Sequence, residues 1–165
     1  MTGPRGSGKT RWLQLQIHEA AEREPGARCP AVLAEEGRTR MEGFAQRTPG
    51  VSVRRILLPC TCCAALADLP GAVRALVASE RPNRIFVEVP AVAAAGLLAE
   101  FDRELGWQRE LTVCLDRSWD MARREHALSP FQAELLERAD RVVPNPAGSE
   151  PRPDLRAAAG PPLFP

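Results

Sequence analysis

The chain has 165 residues, with 22 Lys and Arg against 21 Asp and Glu and hence a formal net charge of +1. That near balance argues against a protein that wraps nucleic acid, which needs a clustered basic surface, and the length fits one domain. No apolar run approaches the roughly 20 residues that span a bilayer, and the N-terminus lacks the apolar stretch of a signal peptide. We therefore expect a cytoplasmic protein that binds neither membrane nor nucleic acid.

A glycine-rich segment at the start of the chain matches the phosphate-loop pattern G-x-x-x-x-G-K-[ST] at every fixed position. The backbone N–H groups of such a loop wrap phosphates, its lysine neutralises β- and γ-phosphate charge, and its threonine hydroxyl ligates Mg²⁺. We therefore predict nucleotide binding, with Lys9 in a catalytic role and Thr10 as a Mg²⁺ ligand. The candidate nucleotide-binding residues of the loop are Gly3, Gly6, Ser7, Gly8, Lys9 and Thr10.

Only Met1 and Thr2 precede this loop, whereas a phosphate loop normally follows a buried central strand. Either the true start lies upstream, or the first strand of the sheet is missing or truncated. In the second case we expect an unfilled position in the middle of the sheet and a loop that has lost its anchor.

Behind the loop, helical and strand patterns alternate along the chain. This alternation predicts an α/β fold of the P-loop NTPase type, a three-layer sandwich with a mostly parallel sheet. The predicted helices cover residues 13–24, 64–79, 91–105 and 130–138, and the predicted strands cover 31–33, 53–58, 84–89, 111–115 and 141–143.

The last part of the chain has a different composition. Seven prolines and few large apolar residues lie between residue 144 and the end, which is typical of extended or disordered segments. We therefore expect a nucleotide-binding domain over residues 1–148 and a proline-rich tail over residues 149–165.

Three of the five cysteines fall within four residues, at the predicted corner between a strand and a helix. Adjacent cysteines do not easily pair with each other, and a reducing cytosol keeps them as thiols. Thiolates are good ligands for Zn²⁺ and for other soft or borderline metals. We therefore interpret Cys60, Cys62 and Cys63, called the cysteine cluster below, as candidate metal ligands. The alternative is that they are small buried apolar residues.

The phosphate loop followed by the sequence Cys60-Thr61-Cys62-Cys63 resembles the CobW-type metallochaperone GTPases, relatives of the nickel-inserting HypB and UreG proteins. Four further segments follow in the order that the family has them. These segments are residues 31–37, 85–88, 111–116 and 139–145.

The resemblance implies that the chain binds GTP with Mg²⁺, and Zn²⁺ or another divalent transition metal, and that it has a client metalloprotein as a further partner. It implies that Glu88 takes the place of a Walker B acid and acts with Lys9 in catalysis. It further implies that Glu35 or Glu36 is a metal ligand and that Asn145 contacts the nucleotide.

Two family motifs are reduced in this chain. Ala91 stands where Glu-x-x-Gly has its glycine, and Asn145-Pro146-Ala147-Gly148 lacks the lysine and the aspartate of Asn-Lys-x-Asp. We therefore expect a reduced family member without the family's C-terminal domain.

The leading interpretation is a GTP-binding protein, and a P-loop GTPase if hydrolysis survives, that couples GTP to metal binding or delivery. The alternatives are a pseudo-GTPase that binds a metal or a partner without turnover, and a small ATP-dependent kinase. The identity of the metal and of the client, the choice between GTP and ATP, and the oligomeric state stay open.

Overall fold

The computed structural model describes residues 1–34, 40–56, 68–105 and 107–144. Within these ranges, no helix combines the length and the apolar character that crossing a membrane requires. The helices are α1 (Lys9–Arg23), α2 (Met41–Arg47), α3 (Asp68–Glu80), α4 (Ala91–Leu105), α5 (Arg117–Arg124) and α6 (Pro130–Glu137). The strands are β1 (Ala31–Leu33), β2 (Val53–Arg55), β3 (Phe86–Glu88), β4 (Thr112–Leu115) and β5 (Arg141–Pro144).

The strands form two parallel groups, one in the order β2-β1-β3 and the other a β4-β5 pair. In the first group Val32 pairs with Arg54 on one side and Val87 on the other. In the second, Cys114 pairs with Val143. One helix lies between successive strands of the first group and two lie between β4 and β5; helical crossovers are the usual way of connecting parallel strands.

The first two residues of the chain lie between the two groups and bond to β3 on one side. The amino group of Met1 donates a hydrogen bond to the carbonyl oxygen of Val87 at 2.8 Å, and the N–H of Val89 donates to the Met1 carbonyl at 3.0 Å. The hydroxyl of Thr2 adds a bond to the Val89 carbonyl at 2.9 Å. The edge of β3 is therefore paired.

On the other side the same two residues bond to β4. The N–H of Thr2 donates to the carbonyl of Thr112 at 2.9 Å, the N–H of Cys114 donates to the carbonyl of Thr2 at 2.8 Å, and Thr2 forms a parallel bridge with Val113. Met1 and Thr2 therefore supply the strand position that precedes the phosphate loop. The predicted unfilled position is wrong, because Met1 and Thr2 fill it and join the groups in the order β2-β1-β3-(1–2)-β4-β5.

Side chains from β1 point into two separate apolar clusters. Val32 packs with Leu76 of α3 and Leu97 of α4, whereas Leu33 packs with Ile17 of α1. Because successive side chains of a strand point to opposite faces, this division means that helices cover both faces of the sheet. The predicted three-layer arrangement is confirmed.

The predicted elements that depend on local signals are reproduced. Helix α4 occupies its predicted range, and α6 begins behind Ser129 with Pro130 in its first turn. The Ser129 hydroxyl accepts a bond from the N–H of Gln132, whose side chain accepts one from the N–H of Ser129, so a capping box closes the helix start. Strands β2 and β3 are shorter than predicted, and residues 57–67 lie outside the described ranges.

Helices α2 and α5 are not among the predicted elements. The start of α5 carries a signal in Asp116, whose side chain accepts a hydrogen bond from the N–H of Trp119 at 2.9 Å, as a helix N-cap does. The N-cap residue of α2 is Arg40, and its side chain makes no capping hydrogen bond. Only Met41 of this helix is buried, so the sequence offers no comparable signal for where α2 begins.

The tight turn from Thr2 into the phosphate loop depends on the absence of a side chain at Gly3. Its φ is 147°, and a Cβ at this position would overlap the carbonyl oxygen of Cys114. We expect Gly3→Ala to lower the free energy of unfolding by about 2–4 kcal/mol, from backbone strain and overpacking together. Gly96→Ala is the matched control, because Gly96 is exposed in α4 and a Cβ there meets nothing within 4 Å. The control should stabilise the protein by up to about 1 kcal/mol, and urea unfolding of both variants checks the contrast.

The thiols of Cys29 and Cys114 should resist alkylation in the folded protein. Both side chains are fully buried, and burial raises the pKa of the Cys29 thiol and raises the pKa of Cys114 to about 12. Reactive thiolate is therefore scarce at both positions. In a variant with serine at all three positions of the cysteine cluster, a thiol-reactive chromophore should detect no fast-reacting thiol until urea unfolds the chain. Rapid labelling of either residue in the native state would contradict this description.

Candidate nucleotide-binding site

The phosphate loop runs from β-paired Thr2 to the first turn of α1 through a tight turn. The N–H of Ser7 donates to the carbonyl of Pro4 at 3.2 Å, and Gly6 and Gly8 have φ values of 82° and 83°. These left-handed conformations favour glycine over any side chain, which explains the fixed glycine of the motif at Gly8 and the additional glycine at Gly6. Gly8 is also the N-cap of α1, and no described side chain caps that helix start or places a carboxylate in its first turn. The N–H groups of the loop and first turn therefore suit an anion such as phosphate.

Lys9 lies inside the concave side of this loop. Its Nζ donates to the carbonyl oxygens of Gly3 and Pro4, each at 2.9 Å, and the residue is only 5% exposed. Lys9 is the one lysine in the sequence, the other 21 basic side chains being arginines. A compact ammonium group fits between two backbone carbonyls where the broad planar guanidinium does not. The cation is thereby held where a phosphate chain in the loop would meet it.

Thr10 and Glu88 face each other across the mouth of the site. The Thr10 hydroxyl donates to Oε1 of Glu88 at 3.1 Å, although the two residues are 78 positions apart in the sequence. Glu88 ends β3 and is only 3% exposed. Hydroxyl and carboxylate oxygens are ligands that Mg²⁺ accepts, and neighbouring oxygens of an octahedral Mg²⁺ with bonds of about 2.1 Å lie about 3 Å apart. The pair therefore fits a Mg²⁺ ion in spacing and chemistry.

Ser7 contributes a buried polar atom to the same cradle. The residue is fully buried, and its hydroxyl oxygen has no hydrogen-bond partner within the described residues. A buried hydroxyl without a partner costs about 1–3 kcal/mol. Such a group fits a loop whose remaining partner is an anionic ligand.

The structure thus brings together the six loop residues, predicted to bind nucleotide, and Glu88, predicted to be a Walker B-like acid that acts with Lys9. The other predicted site residues lie outside the described ranges. Within residues 1–34, 40–56, 68–105 and 107–144, no three His, Cys, Asp or Glu side chains form a group that could hold a metal ion. The predicted residues outside these ranges are Glu35, Glu36, Cys60, Cys62, Cys63 and Asn145.

Two residues of the site were not singled out from the sequence as part of it. Thr2 anchors the loop, but two residues before a motif are too short to show strand periodicity. Trp12 packs with Cys114 and Val143 beneath the loop, and its indole nitrogen is buried with no hydrogen-bond partner among the described residues. The signal for Trp12 was its helical spacing of three from Lys9, which places both on adjoining parts of one helix face.

Ala91, which stands where the family's Glu-x-x-Gly motif has its glycine, lies at the start of a helix. Ala91 is the first residue of α4 and is 7% exposed, and the N–H of Ala93 already bonds to the carbonyl of Pro90 at 3.1 Å. Helix α4 therefore begins three residues after Glu88, and its first residue carries a Cβ where the family has glycine.

The comparisons with known proteins agree with this geometry. The family model for the CobW/HypB/UreG nucleotide-binding domain matches residues 1–147. No match was found among curated proteins or among solved structures. The matched range contains the phosphate loop with Lys9 and the Thr10–Glu88 pair, which are the parts that a nucleotide needs. The chain therefore belongs to the CobW/HypB/UreG family, as a nucleotide-binding domain of that GTP-binding family.

Proposed function

We propose that this protein is a GTP-dependent metal handler. Mg²⁺–GTP binds at the phosphate loop, zinc or another divalent transition metal binds through the cysteine cluster, and GTP binding or hydrolysis alters metal affinity or delivery to a client metalloprotein. The observation that carries the nucleotide half is the 3.1 Å contact between the Thr10 hydroxyl and the Glu88 carboxylate, directly behind the buried Lys9.

On the nucleotide side, each residue of the site has a separate task. The N–H groups between Gly6 and Thr10 bind phosphate oxygens, and the Lys9 ammonium exchanges its carbonyl partners for β- and γ-phosphate oxygens. Thr10 and Glu88 would hold Mg²⁺, which when bound neutralises charge that develops on the phosphates. The short stretch from Thr2 into the loop keeps these groups at fixed distances from β3 and β4.

The sheet topology supports coupling between nucleotide and metal. Leu33 at the end of β1 pairs with Arg55 of β2 on one side and with Glu88 of β3 on the other. The carboxyl ends of these three parallel strands therefore share one edge, where α/β sheets bind their ligands. In the sequence, Glu35 and Glu36 follow β1, and the cysteine cluster follows β2. Both sets of candidate metal ligands thus follow strands that end at the same edge of the sheet as Glu88.

A second candidate function is supported by the start of α4. Ala91 has a Cβ and a helical conformation where a glycine would let the backbone approach the γ-phosphate. A pseudo-GTPase that binds nucleotide and metal without turnover is consistent with that substitution. Phosphate release over many turnovers favours the GTPase, whereas bound GTP that stays intact favours the pseudo-GTPase.

Substitutions of Lys9 test the nucleotide site. We expect Lys9→Ala to weaken binding of a fluorescent GTP analogue in Mg²⁺ by about 10–100-fold, since it removes a charge-assisted contact. Lys9→Arg should also weaken binding although the charge is kept, because the guanidinium does not fit between the carbonyls of Gly3 and Pro4. Arg23→Ala, at the exposed far end of the same helix, is the control and should bind normally. Equal affinity in all three variants would contradict the assignment.

Replacing the cysteine cluster by serine tests the metal half. We expect the triple variant to lose the thiolate-to-metal absorption band that Co²⁺ produces in the reduced wild-type protein. Cys29→Ala is the control, because its buried thiol should contribute nothing to the band.

Titrations with GTP and Zn²⁺ together test whether nucleotide binding and metal binding are coupled. GTP should change the Zn²⁺ affinity of the wild-type protein, Zn²⁺ should change the GTP affinity by the same factor, and Lys9→Ala should abolish both effects. Metal binding that is indifferent to nucleotide would leave the pseudo-GTPase as the better description, and a triple variant that keeps the absorption band would remove the metal site.

A further inference from the structure

An open groove runs between α1 and α2, outside the phosphate site. Helix α1 contributes Arg11, Leu15 and His18, and α2 contributes Phe44 and Arg47. The α1 residues recur at spacings of four and three, so they form one stripe on the helix surface. The groove has a volume of about 410 Å³, and it begins one residue beyond Thr10.

The lining of the groove carries positive charge that no lining carboxylate balances. No carboxylate lies among its lining residues, and neither Arg11 nor Arg47 forms an ion pair with any residue that the structure describes. His18 lies 3.3 Å from Glu22, which is the one acidic contact of a lining residue in the described chain. By contrast, Arg23 of α1 lies 3.8 Å from a carboxylate oxygen of Glu19, and Arg55 of β2 forms an ion pair with Glu42 of α2.

The floor of the groove is apolar. Leu15 is 45% exposed, which makes it one of the exposed large hydrophobic residues of the described chain. Phe44 beside it is half-buried and packs against the cluster beneath α1. An exposed leucine flanked by two arginines combines the features of an anchor position and of a charged rim.

We propose that this groove docks an acidic segment of a partner protein. Carboxylates of the segment pair with Arg11 and Arg47, and an apolar side chain between them packs on Leu15 and Phe44. A peptide fits better than a small ligand, because pockets for small molecules bury most of the ligand surface and this groove is open. It also fits better than nucleic acid, because the overall charge is only +1 and, among the described residues that line the groove, Phe44 is the only Phe, Trp or Tyr on which a base could stack.

The groove adjoins the nucleotide site along the chain. Arg11 follows Thr10 in the first turn of α1, and α2 follows the residues after β1 that include Glu35 and Glu36. The proposal stands apart from the metal-handling function, since docking is measurable without nucleotide or metal.

The test is fluorescence anisotropy with a labelled peptide in which glutamates flank a leucine and a phenylalanine, added to the full chain at low and high salt. We expect saturable binding that weakens with salt. The double variant Arg11→Glu/Arg47→Glu should raise Kd by about tenfold or more, because charge reversal replaces attraction by repulsion. Leu15→Ser should weaken binding without removing the salt dependence.

The control variant is Arg117→Glu, which reverses an equally exposed arginine at the start of α5, away from the groove. It should bind the peptide as the wild type does, and circular dichroism should show all variants folded. A peptide with lysines in place of the glutamates should not bind. Absence of binding to folded wild-type protein, or equal loss in the Arg117→Glu variant, would overturn the proposal.

Discussion

The backbone pairing of Met1 and Thr2 with strands on both sides is the constraint on which the rest of the molecule depends. Two residues close the gap between β3 and β4 with four main-chain hydrogen bonds and one from the Thr2 hydroxyl. An unpaired strand edge in the middle of a sheet would leave backbone groups buried and unsatisfied. The same pairing fixes Gly3 against the carbonyl of Cys114, and so fixes where the phosphate loop begins.

From that anchor the site forms a closed set of contacts. Lys9 bonds back to the first two residues of the loop, and Thr10 bonds forward to Glu88 at the end of β3. The loop therefore depends on the sheet twice, through Thr2 and through Glu88. A nucleotide that displaced the internal partners of Lys9 and Thr10 would replace existing polar contacts by stronger charged ones.

Local signals predicted most of the fold and the phosphate-loop part of the candidate site. The spacing of Lys9 and Thr10 in the motif and the Ser129 cap before α6 are contained within a few residues, so a sequence shows them directly. Glu88 was predicted because residues 85–88 resemble the strand that carries the family's Glu-x-x-Gly motif. Thr2 was missed as a bonded residue because its partners are distant in the chain, and α2 was missed because no capping side chain marks its start.

The distance along the chain between the partners of Met1 has a consequence for folding. Its amino group bonds to a carbonyl 86 residues away, and Thr2 reaches farther still to β4, so closing this joint carries a large loop-closure cost. Because this cost is met before the contacts stabilise the chain, we expect the joint at Met1 and Thr2, and with it the phosphate loop, to form late in folding. Nucleotide that binds the formed loop would then select folded chains and, by mass action, draw the population toward them.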